Sequence, residues 1–479
     1  MNLTLFFLNL HQLFIIFRHI LTNQSSKNMA NVIKLRKGLD IHLKGKAEAT
    51  KFDSPKVRHF ALLPSGFTGV TPKVVVKEGD KVLAGDALFV NKSFPDVKFA
   101  SPVSGVVTAI QRGERRRVLA VKIDADEKQE YRDYGKAAPV KLDADGVVEK
   151  LTSSGLFGYI NQLPYAISTN PSVKPKSIFV SALRDMPLAA DFEIELKGNE
   201  EDFQTGLTAL SRIAKVYLGI GKHQNSNALT SAKDVEVNIF SGPCPAGNVG
   251  VQVNHLDPVN KGEVVWTVDP SAVIFFGRLF RTGKVDLTRT IAIAGSEMKS
   301  TGYVDVKVGS SISEVLSDNV SVDGRDIRVI DGNPLTGRKA SKEDYLSAHT
   351  SEITAIPEGD DVNEFAGWIM PRLKEFSTSH SYFSWLRGKN KEYDLDARIK
   401  GGERHMIMSG EYDRVLPMDI YGEYLIKAII TGDIDKQEQL GIYEISPEDF
   451  ALAEFVDSSK LPLQKIVRQG LDILRKENA

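Results

Sequence analysis

A change in the spacing of apolar residues divides this chain into parts with different folds. From Phe60 to about Ile123, short apolar stretches alternate with turn signals, which is typical of small β-structure. From about Gly146 the apolar segments lengthen and take helical spacing. One face of a predicted helix carries Phe203, Leu207, Leu210 and Ala214. The sequence therefore predicts a multidomain chain that combines α and β structure.

Two segments of the first part carry the turn chemistry of a small sandwich. In residues 76–88, two Gly-Asp pairs mark tight turns, where glycine supplies a positive φ and aspartate caps the turn. In residues 100–107, a strand begins after a proline and bends at a glycine. Together these segments resemble the two halves of a biotinyl/lipoyl-type β-sandwich. A carrier of that type would hold a modified lysine at its hairpin tip, but Phe94 stands nearest that position, so we expect a scaffold.

The second part predicts an open α/β sheet. Residues 177–181, 215–219 and 235–240 are apolar runs of strand length, and a helical segment separates the first two, which is typical of neighbouring strands in such a sheet. Residues 272–280 are apolar except for Arg278 and predict a buried helix.

The remainder predicts a β-grasp-sized module and a helical tail. Short β units return at residues 288–340 around a small helix near residues 313–316, and the tail is helical in character from about Asp419. The predicted units are residues 1–28, a hydrophobic extension; 29–135, a barrel-sandwich domain of the biotinyl/lipoyl type; 136–287, a Rossmann-like α/β domain; 288–345, a β-grasp module of the SLBB type; and 346–479, a linker and C-terminal helical domain.

The first residues fit none of these units. The segment from Leu3 to Leu21 is apolar but is interrupted by polar residues, and it lacks the basic start and small-residue cleavage site of a secretory signal. One interpretation is that Met29 is the true start, because strand-like patterning begins just after it. A membrane anchor is the alternative.

The charge and cysteine content exclude several functions. The chain has 61 basic and 62 acidic residues, so it is not an electrostatic binder of nucleic acid. Its single cysteine, Cys244, excludes an internal disulfide, a thiolate zinc site and an iron–sulfur cluster with four cysteine ligands. No pair of its nine histidines has the helical spacing of metal ligands, and we predict no metal site.

One loop is the strongest candidate for ligand binding. No three-glycine motif opens a helix after a strand, and there is no Gly-Lys-Ser/Thr phosphate loop. Residues 241–250 instead form a proline-stiffened loop after an apolar strand, a position where α/β sheets commonly bind ligands. Cys244 in this loop has no neighbouring histidine or lysine to activate it, which favours a structural cysteine over a reactive thiol. The candidate ligand-loop residues are Gly242, Pro243, Pro245 and Gly247.

Two further surfaces are candidates for contact with partners. Phe67, with Gly66 and Gly69, lies in a glycine-flanked loop where an aromatic ring could touch an apolar ligand or pack within its own domain, and both alternatives stay open. The arginines around Gly113 favour a solvated turn, with contact to acidic headgroups or to an acidic partner as the alternative.

Ordered short motifs along the chain resemble one family, the A subunits of the bacterial sodium-translocating NADH:quinone reductase (Nqr). The similarity begins at residues 36–40, Arg-Lys-Gly-Leu-Asp, and covers essentially everything after residue 29. Further matching motifs are residues 78–88, 101–107, 242–247, 258–260, 277–283, 335–337, 414–419, 432–435 and 448–452.

The resemblance implies a peripheral subunit on the cytoplasmic face of the bacterial inner membrane. Its fold would be related to the flavin-bearing subunit of respiratory complex I and to RnfC, with the flavin and iron–sulfur sites lost. This subunit would bind no redox cofactor, while the B to F subunits carry NADH oxidation, FAD, FMN and iron–sulfur electron transfer. It would contribute to quinone binding and dock chiefly on the membrane-embedded B subunit. The family often has histidine where Cys244 stands and cysteine where Asp457 stands, so neither residue receives a role here.

The functional hypothesis is therefore a cofactor-free subunit that helps bind quinone, with no catalytic residue of its own. Quinone or partner contact is assigned to Gly66, Phe67 and Gly69 on the argument that a quinone site needs an apolar cover with few polar contacts. The alternatives are a stand-alone flavin- or NADH-binding dehydrogenase of complex I-like fold, and a purely structural scaffold.

Overall fold

The computed structural model describes residues 30–317, 319–321, 326–360, 370–388 and 391–478. The predicted extension at residues 1–28 lies outside them. The predicted fold class is confirmed: a barrel-sandwich, an α/β unit, a small β module and a helical C-terminal region follow one another along the chain.

Four sheets contain the strands of the described residues. In chain order the strands are β1 Asn31–Lys34, β2 His59–Leu62, β3 Pro72–Val74, β4 Lys81–Val82, β5 Ala87–Asn91, β6 Lys98–Ala100, β7 Gly105–Arg112, β8 Val118–Ala125, β9 Ile160–Leu163, β10 Ile167–Ser168, β11 Ser177–Ser181, β12 Lys215–Gly221, β13 Glu236–Ser241, β14 Val265–Val268, β15 Thr288–Ala294, β16 Gly302–Lys307, β17 Ile327–Asp331, β18 Arg338–Ala340 and β19 Glu352–Pro357.

The helices flank the α/β sheet and form the C-terminal region. In chain order the α-helices of the described residues are α1 Ala144–Ser153, α2 Phe192–Leu196, α3 Glu200–Ser211, α4 Asn227–Thr230, α5 Val249–Leu256, α6 Pro270–Thr282, α7 Ile312–Leu316, α8 Tyr412–Val415, α9 Gly422–Thr431, α10 Ile434–Gln439, α11 Ala451–Val456 and α12 Leu463–Glu477. None of these helices has both the length and the apolar character needed to cross a membrane.

The largest sheet has seven strands in the order β1-β13-β12-β11-β14-β9-β10. Strands β11, β12 and β13 are parallel neighbours, as the sequence predicts, and the buried helix predicted at residues 272–280 is part of α6. The edge strand β1 differs from its predicted place in the barrel-sandwich, because it pairs with β13 from Asn31 opposite Asn238. Its short apolar pattern fits any sheet edge, so the local sequence does not identify this partner.

The barrel-sandwich packs two small sheets face to face. Their orders are β2-β8-β7-β4 and β3-β5-β6, and the alternating apolar residues between them are buried. The rings of Phe89 and Phe99 stack with centroids 4.7 Å apart at the centre of this interface. The turn-rich segments at residues 76–88 and 100–107 supply strands to both sheets, as the resemblance to two sandwich halves predicts.

The β-grasp module and the helical region complete the fold. The module has a five-stranded sheet in the order β16-β15-β19-β17-β18 with α7 packed against it, where the sequence predicts a small helix. In the C-terminal helical region, α9 and α12 bury their apolar faces against each other. This helical core also includes Leu35, Phe240 and Val251, so it lies directly against the α/β sheet.

Two glycines allow α3 and α6 to approach closely on one face of the sheet. A Cβ on Gly277 would lie 1.7 Å from the carbonyl oxygen of Asp202, and one on Gly206 would lie 2.0 Å from that of Val273. No side chain fits at either position unless the helices separate.

Gly277→Ala therefore tests this packing. Alanine is the better helix former by about 1 kcal/mol, but the clash with the Asp202 backbone is the larger effect, and we expect a net loss of about 1–3 kcal/mol in unfolding free energy. Gly402→Ala is the control, because no atom lies within 4 Å of its built Cβ. Urea unfolding measures both variants, and an unchanged midpoint for Gly277→Ala would contradict the packing argument.

Candidate functional site

The order of the α/β sheet creates a crevice at one end of its central strand. The chain adds β12 and β13 on one side of β11 and then returns to add β14 on the other side. Loops that follow β11 and β14 diverge at this reversal, and ligands of open α/β sheets commonly bind there. A cavity of about 640 Å³ lies at this point, and all four units contribute to its walls.

The two loops singled out from the sequence meet in this cavity. Ser65 and Thr68 line it from the loop around Phe67, and Gly247 and Asn248 line it from the loop after β13. Sequence patterns point to each loop separately and do not indicate that they share one space.

The Phe67 ring itself packs inside the protein. The residue is 2% exposed, and its ring centroid lies 4.5 Å from that of Phe99 and 5.3 Å from that of Tyr159. Gly66 packs against Ala348, and Gly69 has a φ of +80°. Packing within the chain is thus the outcome at Phe67, while its contact with quinone stays a prediction.

The candidate ligand loop contacts the N-terminal segment at one end and the cavity at the other. Gly242 is exposed but lies against Leu35, Pro243 lies against Gly38, and the Cys244 amide donates to Asp40 Oδ1 at 2.9 Å. Beyond Pro245, the Gly247 amide donates to Asp185 Oδ2 at 3.0 Å and faces the cavity. Of the four predicted residues, Gly247 is therefore the one placed to meet a ligand.

A buried ionic network forms one wall. The hydroxyl of Ser271 accepts hydrogen bonds from Arg184 at 2.9 Å and Arg289 at 2.8 Å, and it donates to Glu195 at 2.6 Å. Asp269 caps α6 by accepting from the Ser271 amide at 2.9 Å. Burial acts to raise the pKa of Asp269, but Arg184 and Arg289 lower it overall.

Half-buried His349 lies between this network and the aromatic core. Its ring centroid is 5.6 Å from that of Tyr159, and it also lines the cavity. Burial lowers the pKa of His349, which favours the neutral imidazole. A neutral imidazole both donates and accepts a hydrogen bond.

The opposite wall comes from the C-terminal helical region and carries carboxylates. Asp449 lies against Gly250 in the first turn of α5, where it accepts from the Ser446 amide at 2.8 Å and from its hydroxyl at 2.9 Å. Burial raises the pKa of Asp449 to about 6. Glu448 next to it is exposed to the cavity, and desolvation by the surrounding walls together with Asp449 and Asp185 raises its pKa. Glu448 touches cavity solvent, which screens its charge, whereas Asp449 is 2% exposed.

These carboxylates decide which ligands the cavity suits. The first turn of a helix after a parallel strand is where a nucleotide phosphate would normally bind. Here the Asp449 side chain lies against that turn, so an anionic ligand would meet a carboxyl group instead of free amides. The cavity fits a neutral ligand better, and the described residues hold no group of three or more His, Cys, Asp or Glu side chains arranged for a metal ion.

Arg468 of α12 is the most distinctive donor at the cavity. Its Nη1 donates to the carbonyl of Ala166 at 3.1 Å, and its Nη2 pairs with Asp472 at 2.8 Å. The Nε is buried and has no hydrogen-bond partner among the described residues. Sequence reasoning missed Arg468, Glu448 and Asp449, because nothing local connects them to a loop 200 residues earlier. The capping box that begins at Ser446 is a local signal, but it marks a helix start and not a site.

Comparison with known proteins decides the family. Three domain families match in order: the NqrA N-terminal barrel-sandwich hybrid domain at residues 33–126, the NqrA second alpha/beta domain at 142–285 and the NQRA C-terminal domain at 290–342. The chain is 33% identical over 450 residues to the A subunit of the Na(+)-translocating NADH-quinone reductase of Neisseria meningitidis serogroup C, which covers 93% of this chain and 100% of that protein. The chain belongs to the family of NADH-quinone reductase A subunits.

Other members of the A-subunit family match equally well. The proteins of that name from Histophilus somni and Haemophilus influenzae are each 34% identical, over 450 and 451 residues, again 93% of this chain and the whole relative. An NAD+-reducing [NiFe]-hydrogenase in its air-oxidised state shares 14% identity over 39% of this chain and 41% of its own, with a TM-score of 0.30, which is too low to carry any argument.

Cys244 and Asp457, which receive no role from the sequence, are both buried. Cys244 is 2% exposed, with its Sγ 3.7 Å from the sulfur of Met186, and burial followed by nearby Asp185 and Asp40 raises the pKa of its thiol. Asp457 accepts from the amides of Ser459 at 3.0 Å and Leu461 at 2.8 Å. Both side chains have structural partners in this chain.

Because the chain has one cysteine, thiol labelling reports on Cys244 alone. A buried thiol with a raised pKa holds little thiolate, so we expect less than about a tenth of the native chain to react with a maleimide in the time that fully labels it in denaturant. Mass spectrometry counts the adducts. Rapid stoichiometric labelling of the native chain would contradict the burial argument.

The raised pKa of Asp449 predicts the direction of a pH effect on stability. Since its pKa is about 6 in the folded chain and near 3.8 when unfolded, the folded state binds the proton more tightly, and stability rises as the pH falls from 7 to 4. Asparagine does not titrate, so Asp449→Asn removes this effect. Between pH 7 and 4, the unfolding free energy of wild type should rise by about 2–3 kcal/mol relative to that of the variant. Exposed Glu403→Gln is the control, and urea unfolding at pH 7 and 4 makes the comparison. Parallel pH profiles for wild type and Asp449→Asn would refute it.

Proposed function

We propose that this chain works as the peripheral A subunit of a bacterial sodium-pumping NADH:quinone oxidoreductase. The observation that carries the proposal is the 33–34% identity to curated A subunits over their full length. In such a complex, NADH oxidation and quinone reduction are coupled to sodium export. The peripheral chain contributes to quinone binding and brings no redox cofactor of its own.

The cavity at the sheet reversal is the proposed place of quinone contact. A quinone head is a neutral ring with carbonyl oxygens, so it needs apolar walls and a few hydrogen-bond donors. Leu183, Met186 and Val268 line the cavity among its apolar residues, and the guanidinium groups of Arg184 and Arg468 bring positive charge to its polar walls. The acidic neighbourhood of Glu448 supports a neutral head over a phosphate-bearing cofactor.

The proposed partners follow from the same role. The B to F subunits of the reductase carry the flavins, the iron–sulfur centre and the ion path, and this chain docks chiefly on the membrane-embedded B subunit, on the cytoplasmic face of the inner membrane. The exposed polar loops around Ser65 and Thr68 would then lie where a quinone held by the complex can reach the cavity.

Filling the cavity tests its part in quinone binding. Ser65→Phe and Thr68→Phe each place a ring in the space without removing a buried side chain, since both residues are exposed to it. We expect the KM for quinone of the assembled reductase to rise at least fivefold, while NADH oxidation with an artificial electron acceptor stays unchanged. Ser172→Phe, which is exposed outside the cavity, is the matched control.

Separate outcomes address the cavity and the function as a whole. An unchanged KM in both cavity variants removes the cavity from the proposal but leaves the subunit role. A purified chain that carries stoichiometric flavin absorbance, or that oxidises NADH unaided, instead supports a stand-alone dehydrogenase and overturns the subunit role.

A further inference from the structure

A cluster of apolar side chains faces solvent between the β-grasp module and the helical region. Met370, Leu373, Phe383, Trp385 and Leu386 are between 39% and 64% exposed. Phe383, Trp385 and Leu386 lie together on the one-turn 3-10 helix Phe383–Arg387. The Trp385 segment, residues 370–388 with Lys391, thus presents aromatic and aliphatic groups to solvent, with the His380 ring 5.6 Å from that of Trp385.

The Trp385 segment is anchored to the rest of the protein from behind. Phe376 packs its ring 5.2 Å from that of Tyr393 and 5.7 Å from that of Phe455 on α11. Ser384, between two of the exposed residues, is 1% exposed, so the short helix has one face turned inward and one turned outward. A held backbone with outward apolar side chains loses little conformational freedom when it binds a surface.

The charge of the segment indicates the chemistry of that surface. The segment contains four basic residues, Arg372, Lys374, Arg387 and Lys391, and one acidic residue. The acidic residue, Glu375, pairs with Lys400 at 3.4 Å. Tryptophan and other large apolar groups flanked by lysine and arginine favour the headgroup boundary of an anionic bilayer, where both parts of the pattern find partners.

We propose that the Trp385 segment inserts its apolar side chains into the surface of an anionic lipid bilayer. Phe383, Trp385 and Leu386 enter the boundary between headgroups and acyl chains, and the exposed Lys374 contacts lipid phosphates. The proposal does not depend on quinone binding or on the cavity, because it is carried by a different surface. It would give this chain its own contact with the membrane in addition to any protein partner.

Tryptophan emission tests the insertion at the proposed position. The chain has three tryptophans: Trp266 is buried, and Trp368 lies outside the described residues. The difference between wild type and Trp385→Phe therefore isolates Trp385 in the full-length chain. With vesicles of phosphatidylcholine and phosphatidylglycerol at 7:3, we expect this difference emission to shift to the blue and to be quenched when the lipids are brominated. Pure phosphatidylcholine should produce at least fivefold less quenching.

Matched variants distinguish membrane binding through the Trp385 segment from nonspecific electrostatic attraction of the chain to anionic vesicles. Lys374→Glu should weaken vesicle binding, followed by the same quenching signal, at least fivefold, and Phe383→Ser with Leu386→Ser should weaken it more than tenfold. Arg115→Glu in the other basic loop and exposed Val140→Ser should leave it unchanged. Thermal unfolding of each variant checks that the fold is intact.

Three results would overturn the proposal. The first is no quenching of Trp385 by anionic vesicles, and the second is equal loss from Arg115→Glu and Lys374→Glu. The third is unaltered quenching in the segment variants together with failed assembly of the reductase, which would assign the surface to a protein partner instead.

Discussion

The buried hydrogen bonds around Ser271 hold the units of this protein in one arrangement. Arg289 extends from the first strand of the β-grasp module into the α/β domain, where its 2% exposed side chain meets Ser271, with Glu195 3.9 Å away. Buried charges of this kind cost several kcal/mol each when they lose a partner. A shift of either unit would separate the guanidinium group from its acceptors, so the network fixes the relative position of the two units. Arg184 and Asp269 belong to this network and also line the cavity, so the network fixes the position of the cavity walls as well.

Asp449 gives this sheet a different chemistry from that of an α/β sheet that binds a nucleotide. A helix that follows a parallel strand normally offers free amides and a positive dipole end to a phosphate. In this chain the C-terminal helical region supplies a carboxyl group to that end of α5, held by Ser446 and by Asn248. In this protein the Asp449 carboxyl group thus occupies the helix N-terminus where other proteins bind an anion. A cavity remains beside it, and its lining has more carboxylate side chains than arginines, which favours an uncharged ring over a phosphate group.

Local patterns predicted most of the elements, because the forces that form them are local. The face of α3 that carries Phe203, Leu207 and Leu210 is buried as its 3.6-residue spacing requires, and the apolar runs of β11 and β12 are central strands. The local sequence did not predict which distant segments pair with each other. The strand at residues 31–34 looks like the start of the sandwich, yet its hydrogen-bonding partner is β13. Likewise, the local sequence around a glycine-flanked aromatic residue such as Phe67 does not distinguish a ring that contacts a ligand from one that packs against Phe99.

The place of β1 in the large sheet has a consequence for how the chain is made. Asn31 leaves the ribosome roughly 200 residues before its partner Asn238, so this edge of the sheet stays without its neighbour through much of translation. Because β1 runs parallel to β13, its first residue lies at the end of the sheet opposite the cavity. A tag or reporter fused ahead of residue 30 would therefore emerge on the far side from the ligand crevice.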